Sequence, residues 1–149
     1  MRSVHAGCNA AKILIIVLAA LITASCGMAT KEEKQHEQFV AAIDGYNAAF
    51  RWQDYKTASG FVDPANQEAF WKEADAFLKE VRIMDYEIRN VSFEANGLRG
   101  TVFINCRFYL TREPSLQSKM IRQTWQFLEK PKTWQVTNSG YQAILAQTQ

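Results

Sequence analysis

Apolar and polar positions along the chain fall into three regimes. From Ile13 to Ile22 the run ILIIVLAALI is unbroken. From Phe39 to Val81 the apolar residues recur at helical spacing, and after Val81 the period drops to two. In the helical regime, Phe39, Ile43, Tyr46 and Phe50 share one face of a helix that runs to about Arg51. Thr30-Lys31-Glu32-Glu33 before it matches a capping box, in which Thr and Glu satisfy each other's free backbone N–H groups. Asp54 to Ser59 reads as a short second helix, with Asp54 as its cap and Gly60 ending it in a left-handed conformation. Asp63-Pro64 starts a third helix, because Pro fits the first turn, where no N–H is needed. Phe70, Ala74, Phe77 and Val81 line its apolar face, with Trp71 and Leu78 beside it.

In the alternating regime, Met84, Tyr86 and Ile88 share a phase, and Val91 and Phe93 continue in the opposite one. A β-bulge near Arg89-Asn90 produces such a slip. Asn96-Gly97 marks a hairpin turn. In the strand Leu98 to Leu110, Val102, Ile104, Cys106, Phe108 and Leu110 form one face, and Phe103, Arg107 and Tyr109 lie on the other. TREPSLQS reads as a loop, Lys119 to Glu129 as a third strand, and Thr133 to Thr137 as a fourth. The tail carries Tyr141, Ile144 and Leu145, which pack as a short helix or stay loose. Helices followed by strands mean α+β: three N-terminal helices packed on a curved four-stranded antiparallel sheet.

Two segments in this plan resemble the NTF2-like superfamily, which includes SnoaL-like and ketosteroid-isomerase-like domains. One is YNAAFRWQDYKTASGFV, similar to the family's long helix followed by a short one. The other is LEKPKTWQVTNS, similar to its last hairpin. The resemblance covers residues 38–138 and implies a cone, with helices closing over a bent sheet. An early short strand or hairpin of that fold has no counterpart in the pattern. A cystatin-like fold shares the helix-on-sheet plan and stays open as the alternative.

The unbroken run belongs to a different module. Arg2 and Lys12 precede about ten apolar residues, and small residues follow, the order of a secretory signal. Its core is shorter than the roughly 20 residues of a membrane span. Thr23-Ala24-Ser25-Cys26 resembles the lipobox of bacterial lipoproteins, with Thr23 where Leu is usual. The resemblance implies cleavage before Cys26 and a lipid on its thiol, and Gly27 after it implies the outer membrane of a diderm cell. Several acyl chains anchor stably where one is marginal. The chain then divides into a signal peptide (1–25), a lipidated Cys26 with a polar tether merging into the first helix (26–37), and the folded domain (38–149). It is expected at the periplasmic face of the cell envelope.

The formal charge of +2 is accounted for by Arg2 and Lys12, leaving 15 basic and 15 acidic side chains beyond residue 25. A neutral domain without a basic cluster argues against a nucleic-acid partner. Of Cys8, Cys26 and Cys106, only Cys106 remains for the fold, as a core residue in an alternating strand. The superfamily's enzymes place an Asp base or an Asp–His pair on strands facing the cone. The strands here hold Asp85, Glu87, Glu94 and Glu129 and no His, and none is a good general base. Glu33-x-x-His36 lies in a charged helix start and lacks the further carboxylates of a metal site. No catalytic residue, metal or cofactor is therefore expected. Tyr46, Trp71, Tyr86, Gln123 and Trp125 are the candidate lining of a ligand pocket in the cone, with a plain core as the rival reading. Phe103, Arg107 and Tyr109 are the candidate interface on the open sheet face, for a homodimer or an envelope partner. The expected function is a membrane-anchored, non-catalytic module binding a protein partner or a small apolar ligand. A SnoaL-like cavity enzyme and a structural accessory of an envelope or secretion assembly are the alternatives.

Overall fold

A computed structural model describes residues 30–147; the expected signal peptide and Cys26 lie outside them. The helices are α1 (Lys31–Arg51), α2 (Tyr55–Ser59) and α3 (Gln67–Glu80), with a 3-10 turn at Pro64–Asn66 leading into α3. The strands β1 (Val81–Phe93), β2 (Arg99–Leu110), β3 (Glu113–Leu128) and β4 (Thr133–Asn138) follow, then a short helix α4 (Gln142–Leu145). The sheet is an antiparallel meander in the order β1-β2-β3-β4. The α+β plan read from periodicity is the one observed.

Side-chain caps mark where α2 and the 3-10 turn start. Asp54 Oδ1 accepts the Thr57 N–H at 3.1 Å, and Asp63 Oδ1 accepts the Ala65 N–H at 2.8 Å. Gly60 corrects one expectation. It is right-handed (φ −64°, ψ −19°) and its N–H closes the last turn onto the Thr57 carbonyl. The left-handed residue of this region is Gln53 (φ 60°), between α1 and α2.

The core sits between the helices and one face of the sheet. Phe39, Ile43, Tyr46 and Phe50 of α1 and Phe70, Ala74 and Phe77 of α3 are buried, as are Val102, Ile104, Cys106 and Phe108 of β2. Each large apolar side chain contributes about 1.5–3 kcal/mol on full burial. Gly100 belongs to this face because a Cβ there would overlap the Phe39 ring. Only glycine lets that ring lie against the strand.

The register of β1 shifts between Ile88 and Asn90, where the phase slip predicts a bulge. It shifts again between Ile83 and Asp85, and this second irregularity turns Met84 out of the Tyr86 face to 48% exposure. The two bulges also blunt β1 as an edge strand. The other edge, β4, is partly covered: Val62 makes a parallel bridge to Val136, and the Val136 N–H donates to the Phe61 carbonyl at 2.8 Å.

A further correction concerns TREPSLQS. The ladder already runs from Glu113, which pairs with Leu110, through Gln117, which pairs with Phe108. Residues 113–116 are all exposed, so the alternation that marks a half-buried strand is absent there. At the other end of the chain, the tail is not loose. Tyr141 and Ile144 are fully buried, and Tyr141 stacks on Phe50 with ring centroids 4.1 Å apart.

Candidate functional site

The interior of the cone is filled. Tyr46 meets Trp125 edge-on at 5.7 Å, and Tyr141 enters from the C-terminal side. Between them lies a closed polar network. Asn47 on α1 and Gln123 on β3 exchange hydrogen bonds of 2.9 and 3.2 Å. The Tyr141 hydroxyl donates to Asn47 Oδ1 at 2.7 Å, and Asn47 Nδ2 donates to the Ile43 carbonyl at 2.7 Å. Buried amides need such partners, so the network joins helix, sheet and tail into one unit. Cys106 is buried beside Tyr141, and burial pushes its thiol up to about 12, so it stays an uncharged core residue.

A cleft of about 140 Å³ opens at the side of the cone, between α3, the 3-10 turn and β4. Asn66, Thr137, Asn138, Ser139 and Gln142 supply its polar lining, and Val62, Ala69, Phe70 and Val136 its apolar wall. Tyr46 and Glu73 complete it.

Glu73 is the group with chemistry. It follows Phe70 by three positions and precedes Phe77 by four, so the helix places it on the buried stripe, where it is 7% exposed. Ser139 Oγ donates to Glu73 Oε1 at 2.7 Å. Burial raises the carboxyl above its ordinary value of 4.5, against the hydrogen bonds from Ser139 and Gln142, which lower it. The Tyr46 hydroxyl is also buried and raised well above 10.0, by burial first and then by Glu73. Ser139 stands near enough to oppose that shift, yet no hydrogen bond of normal geometry satisfies the Tyr46 hydroxyl. Such an unsatisfied buried hydroxyl is rare in a folded protein.

The raised carboxyl makes stability depend on pH. The folded protein holds the Glu73 proton more tightly than the unfolded chain does. Its contribution is full below pH 4.5 and is lost as pH rises through the folded pKa. Urea midpoints measured between about pH 4 and pH 8 are therefore expected to fall in the wild type relative to Glu73→Gln. Parallel curves would show that Glu73 ionises as freely as in the unfolded chain.

Of the five pocket candidates, the structure brings Tyr46, Gln123 and Trp125 together, but only Tyr46 lines the cleft. Gln123 and Trp125 are committed to the sealed interior. Tyr86 lies at the rim of the sheet, where its hydroxyl donates to Asp44 Oδ1 at 2.5 Å. Trp71 is 44% exposed on the outer side of α3, away from the cone. Phe103, Arg107 and Tyr109 share the open sheet face. Phe103 is 37% exposed, and Arg107 pairs with Asp85, whose carboxyl is held below 3.8 first by that hydrogen bond. Met84, Leu116 and Met120 are also exposed on the sheet. Reading strand acids alone misses Glu73. The available signal was an acid inside the Phe70–Phe77 stripe. Among the described residues no group of three or more His, Cys, Asp or Glu is placed to hold a metal, and no helix is long and apolar enough to cross a membrane.

No protein-family model and no curated protein matches the chain. Solved structures do. A SEC-C motif containing protein from Rhodopseudomonas palustris aligns with a TM-score of 0.56 at 21% identity, over 66% of this chain and 73% of that one. A ketosteroid isomerase-like protein from Erwinia carotovora atroseptica aligns at 0.54 and 13%, over 67% and 88%. A putative polyketide cyclase from Xanthomonas campestris pv. campestris aligns at 0.50 and 13%, over 77% and 99%. At these identities the likeness concerns the fold: the domain has the NTF2-like architecture, helices over a curved antiparallel sheet, shared with ketosteroid isomerase-like proteins.

Proposed function

We propose that the chain is a lipid-anchored envelope protein whose NTF2-like domain binds a small ligand without transforming it. The observation that carries the binding reading is the cleft itself. It holds one buried carboxyl and one unsatisfied hydroxyl against an apolar wall, the composition of a small-molecule site. The burial of Gln123 and Trp125 supports a site at Glu73 rather than in their region. The inventory of lining residues supports non-catalytic binding. Acid–base chemistry works best with two groups whose pKa values are pushed apart around neutrality. Glu73 is the one acid among the described lining residues, and Tyr46 is shifted far from that range. The anchor rests on Thr23-Ala24-Ser25-Cys26 after a short apolar core.

The sheet face supports a second reading, a partner-binding accessory subunit. Phe103, Met84, Leu116 and Met120 leave apolar surface uncovered there.

Native mass spectrometry of the protein extracted from its own membrane in mild detergent tests both parts. The expected mass lacks residues 1–25 and carries acyl groups. A small-molecule adduct is expected on the wild type and is lost in Glu73→Gln. An intact, unmodified chain would overturn the anchor. A bare dimer or a protein adduct, unaffected by Glu73→Gln, would favour the sheet face.

A further inference from the structure

The cleft at Glu73 also carries information about the class of ligand. We propose that it takes a primary ammonium group on a short alkyl chain, as a free amine or as a lysine side chain of a partner. This rests on the reading of the cleft as a binding site.

Charge decides against anions. Glu73 stands in the cleft, and none of the described residues lining it is Lys, Arg or His. Among the described residues, the titratable groups that feel the charge of Glu73 are Tyr46 of α1, Tyr55 of α2, which also feels Arg82, and Tyr141 before α4. All three are raised above 10.0, so none supplies a positive charge or a second negative one near neutral pH. A carboxylate buried without a cation is costly, and an ammonium brings both the missing charge and three donors.

Hydrogen bonding agrees. Glu73 accepts from Ser139 and Gln142, yet burial still outweighs those two donors. Among the described residues the Tyr46 hydroxyl makes no hydrogen bond of normal geometry, although Ser139 stands near it, and its oxygen can accept from the same ammonium. Size agrees as well. A cavity of about 150 Å³ holds a benzene-sized molecule, and about 140 Å³ here fits four methylenes and a nitrogen. Val62, Phe70 and Val136 offer the methylenes an apolar wall.

The site links binding to proton release. Where Glu73 holds its proton, an arriving ammonium displaces it to water and leaves the carboxylate paired. Affinity therefore rises with pH through the Glu73 titration, and falls again once the amine itself deprotonates, near pH 10.

The test is a two-dimensional nitrogen-15 NMR titration of the full chain in detergent micelles. The probes are n-butylammonium, butanol and butyrate. n-Butylammonium is expected to shift the Glu73, Ser139 and Gln142 amides saturably at about millimolar concentration. Its affinity should exceed that of butanol by about tenfold and rise with pH through the Glu73 titration. Glu73→Gln, which keeps the side-chain shape, should remove both the preference and the pH dependence. Nα-acetyl-lysine methylamide separates the sources: tighter binding than n-butylammonium points to a partner's lysine, weaker binding to a free amine. Butanol or butyrate binding as well as the amine would overturn the ligand class and keep the cleft as a site. Silence from all three probes would overturn the class and the site together. An amine response that ignores pH and Glu73→Gln would also overturn the proposal.

Discussion

Asn47→Leu is expected to lower stability by roughly 2–6 kcal/mol, although leucine fills nearly the same space. Two buried donors lose their acceptor at once. Gln123 Nε2 no longer has Asn47 Oδ1 at 2.9 Å, and the Tyr141 hydroxyl no longer has it at 2.7 Å. Both residues are fully buried, so water does not replace the lost acceptor. Each orphaned group costs about 1–3 kcal/mol. Against a domain stability of about 5–15 kcal/mol, that loss is large. Tyr141→Phe alone should cost only about 1 kcal/mol, because Asn47 Oδ1 keeps its bond from Gln123. In the Asn47→Leu background the same substitution should be neutral or stabilising, since it removes a hydroxyl already left without a partner. Urea titrations of the two single variants and the double variant give the coupling directly. Additive effects would mean that helix, sheet and tail are not joined through Asn47.

The network and the cleft mark the limit of what periodicity makes legible. The faces carried by Phe39, Ile43, Tyr46 and Phe50 and by Val102 to Leu110 are set by a repeat of 3.6 or 2, and they appear in the structure as read. The bulge near Asn90 was also legible, because an apolar phase slip cannot be absorbed any other way. The exposed half of β3 was not, since a strand buried on neither face has no alternation to show. Nor was the Val62–Val136 bridge, a contact of two residues set by the docking of α2 and the 3-10 turn. The role of Tyr141 was hidden for a related reason. Its stacking on Phe50 spans 91 positions and depends on how the chain leaves β4. Since Tyr141 fills the cone, Gln123 and Trp125 became core, and the remaining cleft moved to a helix acid.

That exit from β4 is fixed by one glycine, and Gly140→Ala is expected to be as damaging as a core truncation. Gly140 has φ +73°, which costs an L-residue about 1–2 kcal/mol on its own. A Cβ there would also overlap the Arg122 carbonyl oxygen on β3, with the Arg122 amide nitrogen only 3.2 Å away. Backbone atoms held in a ladder cannot rotate aside as a side chain can. Relief requires the tail to lift, which withdraws Tyr141 from Phe50 and Asn47 and Ser139 from Glu73. The combined loss should reach about 3 kcal/mol or more. Gly97→Ala is the matched control: its φ is +67°, but no atom lies within 4 Å of the added methyl group. It should cost only about 1–2 kcal/mol and leave the aromatic near-ultraviolet dichroism unchanged. Gly140→Ala should lower the urea midpoint further and weaken that dichroism, because the Phe50–Tyr141 stack opens. Equal losses in the two variants would mean that backbone conformation alone matters at Gly140. The tail would then accommodate the methyl group beside Arg122 without lifting from the cone, and Ser139 would stay on Glu73.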